Sequence, residues 1–197
     1  MKRIVLATGN THKIKEMREL LAGCGAELVV PSDLSITLEF AEEGRTFAEI
    51  AGRKALAYSA LSGLPALADD SGLEVDALGG EPGVRSRRFG HSDTDAARID
   101  RLLRLMRESG DSARAARFRC AMALASGGAL LFEVEGICEG TIAPVPRGAE
   151  GFGYDPIFIP RGWDRTFAEL GDATKNQISH RALAAQKLRV LIERTDF

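Results

Sequence analysis

A chain of 197 residues with 45% hydrophobic and 27% charged residues is long enough to bury a sizeable core and reads as one globular domain. A net charge of −2 gives no electrostatic footprint for a nucleic acid polymer, and no apolar run approaches the length of a membrane span. Met1-Lys2-Arg3 leads into a short apolar strand rather than a secretory signal. Cys24, Cys120 and Cys138 are odd in number and lack zinc spacing. The expectation is a cytoplasmic protein with reduced, buried thiols, binding neither nucleic acid polymer nor membrane.

The first apolar run, Ile4-Val5-Leu6-Ala7, breaks at Thr8-Gly9-Asn10-Thr11-His12-Lys13. It restarts as a helix with Ile14, Met17, Leu20 and Leu21 on one face. Helix N-termini attract anions, and a lysine in the first turn works against the dipole unless an anion is held there. The loop is too short for a G-x-x-x-x-G-K-[ST] phosphate loop. On these residues alone, an ordinary strand-to-helix turn and an anion site both stay open. Leu28-Val29-Val30 reads as a second strand ended by Pro31-Ser32. A helix is expected from Thr46 to Ser62, with Phe47, Ile50, Ala51, Ala55, Tyr58 and Leu61 as its apolar stripe and Gly63 and Pro65 as its stop. Ala66-Leu67-Ala68 and Leu73-Glu74-Val75 read as two short strand pieces. A helix over Thr94 to Glu108 carries Ile99, Leu102, Leu103 and Met106. Ala116 to Ala125 and Leu130 to Glu139 alternate on either side of Ser126-Gly127-Gly128, a hairpin signal. Ser179 is expected to cap a last helix carrying Ala182, Leu183, Leu188 and Leu191. Alternating βα units followed by a long hairpin imply an α/β fold: a mixed twisted sheet with a long antiparallel hairpin and flanking helices.

Three further constellations carry chemistry. Asp69 and Asp70 leave a buried strand next to Ser71-Gly72. Adjacent strand residues face opposite sides, so the two acids are no shared-proton pair if the strand persists, and at a strand end one of them can hold a hard cation. Glu39, Glu42 and Glu43 offer further oxygen ligands; a polar turn is the alternative. Gly151-Phe152-Gly153-Tyr154-Asp155-Pro156 sets aromatics between glycines. Phe152 reads as a stacking platform, Tyr154 equally as an anchor to the core, and Asp155 as either a base contact or an organiser of the loop. Lys175, His180 and Arg181 cluster around a helix start, where the dipole disfavours cations, which points to an anionic or acceptor-rich ligand.

In order along the chain stand Thr8-Gly9-Asn10-x-x-Lys13, Phe47-x-Glu49, Lys54-Ala55, Asp69-Asp70-Ser71-Gly72-Leu73, Leu78-Gly79-Gly80-x-Pro82-Gly83, Phe152-Gly153-Tyr154-Asp155-Pro156 and Ser179-His180-Arg181. Together these motifs resemble the inosine/xanthosine triphosphate pyrophosphatase family over nearly the whole chain. The resemblance implies a single domain over 1–197 with two lobes around a central cleft, and a homodimer. The implied reaction is magnesium-dependent (Mg2+) hydrolysis of deaminated purine nucleoside triphosphates (ITP, dITP, XTP) to monophosphate and pyrophosphate. It places Thr8, Gly9, Asn10, Thr11, His12, Lys13 and Lys54 around the triphosphate, with His12 a loop residue rather than a catalyst. Asp70 becomes the catalytic carboxylate and a metal ligand, and Ser71 touches substrate. Glu42 becomes the second metal ligand, with Glu43 as the alternative register. Phe152, Gly153, Tyr154, Asp155, Lys175, His180 and Arg181 form the base pocket. On this reading, Arg181→Ala should cost turnover far more than fold stability.

The chain departs from the family pattern in two places. Ile50 stands where an asparagine is common, and lies on the apolar stripe. Val84-Arg85-Ser86-Arg87-Arg88 replaces a Val-Tyr-Ser-Ala-Arg pattern, which bears on this loop and on the dimer surface. A pyrophosphatase for other modified nucleotides is the alternative enzyme. A non-catalytic nucleotide sensor is the alternative binder, although it would need no array of acids at the phosphates.

Overall fold

The computed structural model describes residues 2–38, 40–91 and 94–195; the candidate ligand Glu39 lies outside them. The chain runs β1 (Lys2–Leu6), α1 (Thr11–Leu20), β2 (Ala26–Val29), α2 (Phe47–Ser62), β3 (Ala66–Val75), α3 (Asp95–Glu108), β4 (Ala115–Ser126), β5 (Ala129–Ile142), β6 (Phe158–Pro160), α4 (Phe167–Ile178) and α5 (His180–Arg194). The strands form one six-stranded sheet in the order β2-β1-β3-β4-β5-β6. β1 pairs in parallel with β2 and β3, while β5 and β6 are antiparallel, so the sheet is mixed, as expected. A two-residue turn, Gly127-Gly128, joins β4 to β5. Both glycines have positive φ, the backbone that tight hairpins require.

Among the described residues, one compact unit comprises those up to Asp70, Cys120–Gly136 and those from Arg181 onward. The other comprises Ser71–Arg119 and Ile137–His180. The core of the first is Ile4, Leu6, Met17, Leu21, Leu67, Met122, Leu188 and Ile192, all buried. The core of the second is aromatic: Phe118 lies 4.6 Å from Phe158, which lies 5.3 Å from Phe167, with Leu102 and Ile157 buried in the same cluster. Each such side chain contributes about 1.5–3 kcal/mol on burial. All three cysteines are free and buried.

Local signals set the helix ends. The Thr46 side chain accepts from Glu49 N at 3.1 Å, and Glu49 Oε2 accepts from Arg45 N at 2.9 Å, closing the start of α2. Gly63, at φ 67°, ends it. Burial along α2 stops at Ser59, so Leu61, expected on the core stripe, is 56% exposed in the last turn. Ile50 is fully buried, and a Cβ on Gly44 would fall 2.6 Å from its Cγ1. The departure at Ile50 is therefore a core substitution.

Two expectations need correction. The two strand pieces around Asp69-Asp70 are one continuous strand, because Asp69, Asp70 and Gly72 all keep ladder geometry within β3; the acids lie in mid-strand. Lys175 does not stand at a helix start. It occupies the last turn of α4, where the dipole favours a cation, and only His180 and Arg181 open a helix. Ser179 separates the two helices in extended conformation, and its N–H closes α4 on Lys175 O at 2.9 Å.

Candidate functional site

The β1–α1 loop satisfies itself. Asn10 caps α1, its side chain accepting from His12 N at 3.0 Å and Lys13 N at 3.3 Å, while Asn10 N donates to Thr8 Oγ1 at 3.2 Å. Thr8 is buried; Thr11 and His12 are exposed in the first turn. The first-turn lysine does have its anion: Lys13 Nζ lies 2.9 Å from Asp69 Oδ2. The same carboxylate accepts from Arg181 Nη2 at 3.0 Å, and Arg181 Nη1 donates to Glu16 Oε2 at 2.6 Å. Glu16 was not foreseen. Its place three residues after Lys13, on the same helix face, was the available signal.

Arg181 is 1% exposed, so its guanidinium is a buried, doubly paired cation. Burial lowers its pKa, but Asp69 and Glu16 more than offset this and hold it charged. The expectation that Arg181→Ala would spare the fold does not survive this placement. Removing one partner of a buried ion pair leaves the others uncompensated. Arg181 hydrogen-bonds the carboxylates of Asp69 and Glu16, both in the first unit.

Asp69 and Asp70 are neighbours with opposite electrostatics. Burial pushes Asp69 up, but Lys13, Arg181 and Lys54 hold it well below the usual carboxylate range. Asp70 is pushed up to about 7, first by burial and then by Asp69 and Glu42, against the pull of Lys13 and Lys54. Its Oδ2 is buried and, among the described residues, accepts no hydrogen bond. Lys54 Nζ lies 3.5 Å from Glu42 Oε1, and Lys54 is itself buried. Three cations, Lys13, Lys54 and Arg181, thus face three acids, Glu16, Glu42 and Asp69. An ionised Asp70 adds a further carboxylate to those of Glu16, Glu42 and Asp69. Among the described residues no cluster of three or more metal-binding side chains gathers. Glu43 is exposed, its carbonyl accepting from Arg53 Nη1. Burial, with Asp69 adding to it, pushes the Cys120 thiol up to about 12, which disfavours the thiolate at neutral pH.

The second unit holds the aromatic loop. Phe152 N donates to Asp155 Oδ2 at 2.9 Å, and the same oxygen accepts from Lys175 Nζ at 2.6 Å, with Lys175 and Asp155 both buried. Lys175 Nζ also sits 4.4 Å from the centroid of the half-buried Phe152 ring. Gly153 N donates to Asp95 Oδ2 at 2.7 Å. Tyr154 is the core anchor: it is buried, with its hydroxyl donating to Ser86 O at 2.9 Å. Asp155 organises the loop. His180 is buried and stacks on Phe118, with ring centroids 4.6 Å apart and planes 13° apart. Ser71, half-buried, follows Asp70 in β3. Arg85 and Arg87 are both exposed, and Arg85 pairs with Glu81.

Known proteins resemble the chain throughout. It is 49% identical over 189 residues to a dITP/XTP pyrophosphatase of Gloeobacter violaceus, covering 95% of this chain and 93% of that protein. It is 45% identical over 194 residues to a dITP/XTP pyrophosphatase of Bacillus subtilis, covering 98% of each. The structure of a HAM1 protein from Coxiella burnetii superposes with a TM-score of 0.92 at 42% identity, covering 99% of this chain and 100% of that one. Residues 4–191 match the Ham1 family. With the motifs, the fold and the full-length identity in agreement, the chain belongs to the Ham1 family.

Proposed function

We propose that this chain hydrolyses deaminated purine nucleoside triphosphates, ITP, dITP and XTP, to the monophosphate and pyrophosphate. The observation that carries the reading is the mid-strand pair Asp69-Asp70. One acid is tied to Lys13 and Arg181, and the other is buried with an oxygen that accepts no hydrogen bond among the described residues. A sensor that only held a nucleotide would have no use for a carboxylate kept this close to neutrality. The names of the relatives, dITP/XTP pyrophosphatases, support the same reaction.

In this reading Lys13 and Lys54 bear on the triphosphate, with Thr8 to His12 forming the loop beside it. Asp70 and Glu42 would hold magnesium, which supplies charge neutralisation at the phosphates when bound. Asp70 orients the attacking water toward the α-phosphorus and is a modest proton acceptor, since a nearby divalent cation lowers its pKa again. Lys13, Arg181 and Lys54 keep Asp69 ionised, and Glu16 holds Arg181, so the electrostatics around Asp70 are set before substrate arrives.

The base falls to the aromatic loop. Lys175 covers one face of Phe152, and a purine would stack on the other. The 6-oxo group of hypoxanthine or xanthine needs a donor where adenine presents one of its own, and a site built this way can discriminate on the order of 10⁴-fold. The amides of Phe152 and Gly153 already donate to Asp155 and Asp95, which supports side chains such as His180 as that donor. A homodimer and a cytoplasmic setting complete the proposal. Among the described residues, no helix is long and apolar enough to cross a membrane.

The test is a nucleotide panel incubated with magnesium, with pyrophosphate and orthophosphate measured separately. Pyrophosphate from inosine and xanthosine triphosphates, with little from ATP or GTP, is the expected result. Orthophosphate release, or equal turnover of all four, overturns the reading. Light scattering of the same sample checks the dimer.

A further inference from the structure

Phe152 sits between Gly151 at φ 78° and Gly153 at φ 65°, so the segment has little conformational restraint of its own. Its attachments therefore decide where the ring points. Asp155 holds the Phe152 N–H through Oδ2, the same oxygen that Lys175 of α4 holds. Tyr154 is tied through its hydroxyl to Ser86 and Asp155 through its carboxylate to Lys175; both are side-chain tethers beyond the ring. The Phe152–Gly153 peptide is held from outside the loop by Asp95, 58 residues earlier, whose Oδ2 accepts the Gly153 N–H at 2.7 Å.

Asp95 suits that task. It is the first residue of α3, where the dipole stabilises a carboxylate. Arg98, one turn on, pairs with its other oxygen, Oδ1, which leaves Oδ2 directed at Gly153. α3 is in turn packed into the aromatic core by Ile99, Leu102, Leu103 and Met106. The loop is thereby referenced to a rigid helix through one charge-assisted hydrogen bond.

The geometry points to Asp95 as a positioning residue for base recognition, fixing the peptide that follows Phe152 and hence the plane on which a purine stacks. This rests on the reading of Phe152 as the base platform. Without Asp95, a peptide flanked by glycines can rotate and its ring orientation is lost, while the acids and lysines of the first unit keep their contacts.

The test compares Asp95→Ala and Asp95→Asn with the unmodified full chain, using inosine triphosphate as substrate and pyrophosphate as competing ligand. Asp95→Ala should raise KM for inosine triphosphate about tenfold, with kcat within about threefold and the inhibition constant for pyrophosphate within about twofold. Asp95→Asn keeps an acceptor for the Gly153 amide and should recover most of the lost affinity. An unchanged KM in Asp95→Ala overturns the inference, as does a parallel rise in KM and in the pyrophosphate constant, which is general loosening. If Asp95→Ala does not fold, amide exchange in the unmodified chain decides. Gly153 should exchange at least about tenfold more slowly than Gly127 at the hairpin tip, and equal rates overturn the anchoring. An unmodified chain that leaves inosine triphosphate intact defeats the functional reading itself, which is a different result from an active chain indifferent to Asp95.

Discussion

The two units build their candidate sites with a different balance of physical means. In the first, charged groups are taken out of water and made to neutralise one another: Glu16, Arg181, Asp69 and Lys13 form a chain of ion pairs on which Asp70 depends for its electrostatics. In the second, a ring is set between glycines and held by hydrogen bonds to backbone amides and by one buried ion pair, Lys175–Asp155, beside an aromatic core. Function and stability are coupled in the first region because Glu16, Lys54, Asp69, Asp70 and Arg181 are all buried. In the second they separate, because the ring can be removed without leaving a charge behind.

Substitutions that remove one kind of support at a time test that contrast. Asp70→Asn should lower kcat by about 10³-fold while the protein stays folded; near-normal turnover at saturating magnesium would remove Asp70 from the chemistry. Arg181→Ala should destabilise by about 3–5 kcal/mol in urea melts, since it takes a buried guanidinium from Glu16 and leaves Asp69 with Lys13 in place of two cations. A loss of turnover with an unshifted melt would break the proposed coupling.

The pH dependence sharpens it further. Asp70 has a folded pKa raised from 3.8 to about 7, so between those values the folded chain binds the extra proton and stability falls as pH rises. Asp69 has the opposite sign, with a lowered pKa: its contribution is present above pH 4 and is lost only as the solution becomes strongly acidic. Metal-free unfolding from pH 5 to 7 should show the unmodified chain losing up to about 1.4 kcal/mol per pH unit relative to Asp70→Asn. Parallel curves would show that Asp70 is not held near neutrality.

Smaller effects belong to the second unit and the surface. Phe152→Ala should weaken substrate binding by about 1–3 kcal/mol, read as KM, with little change in melting. A large stability loss would mean that the ring is core rather than platform. Arg85→Ala removes an exposed ion pair with Glu81 and should shift stability by about 0.5 kcal/mol or less. The same type of pairing that is decisive at Arg181 is negligible where water screens it.

Much of the local structure was legible along the chain. Thr46 and Gly63 bound α2, Ile99 to Met106 form the buried face of α3, and Gly127-Gly128 turns the hairpin, because caps, periodicity and turn residues act over a few positions. Leu61 and the split of β3 were misread for the same reason in reverse. Periodicity does not report where a helix outruns its covering surface, and two acids in a strand look like a turn until neighbouring cations are known.

The sequence by itself determined which residue types the site contains: the Thr8-to-Lys13 loop, Lys54, Asp69-Asp70 and the Phe152 segment, in the order that identifies the family. Only the tertiary structure decided how they divide the work. It joins Arg181 to Glu16 across 165 residues and to Asp69 across 112, gives Asp95 to Gly153, and sets Asp69 ionised beside an Asp70 near neutrality. Those assignments depend on which charges share a buried environment, and burial of distant partners is a property of topology, which no local pattern encodes.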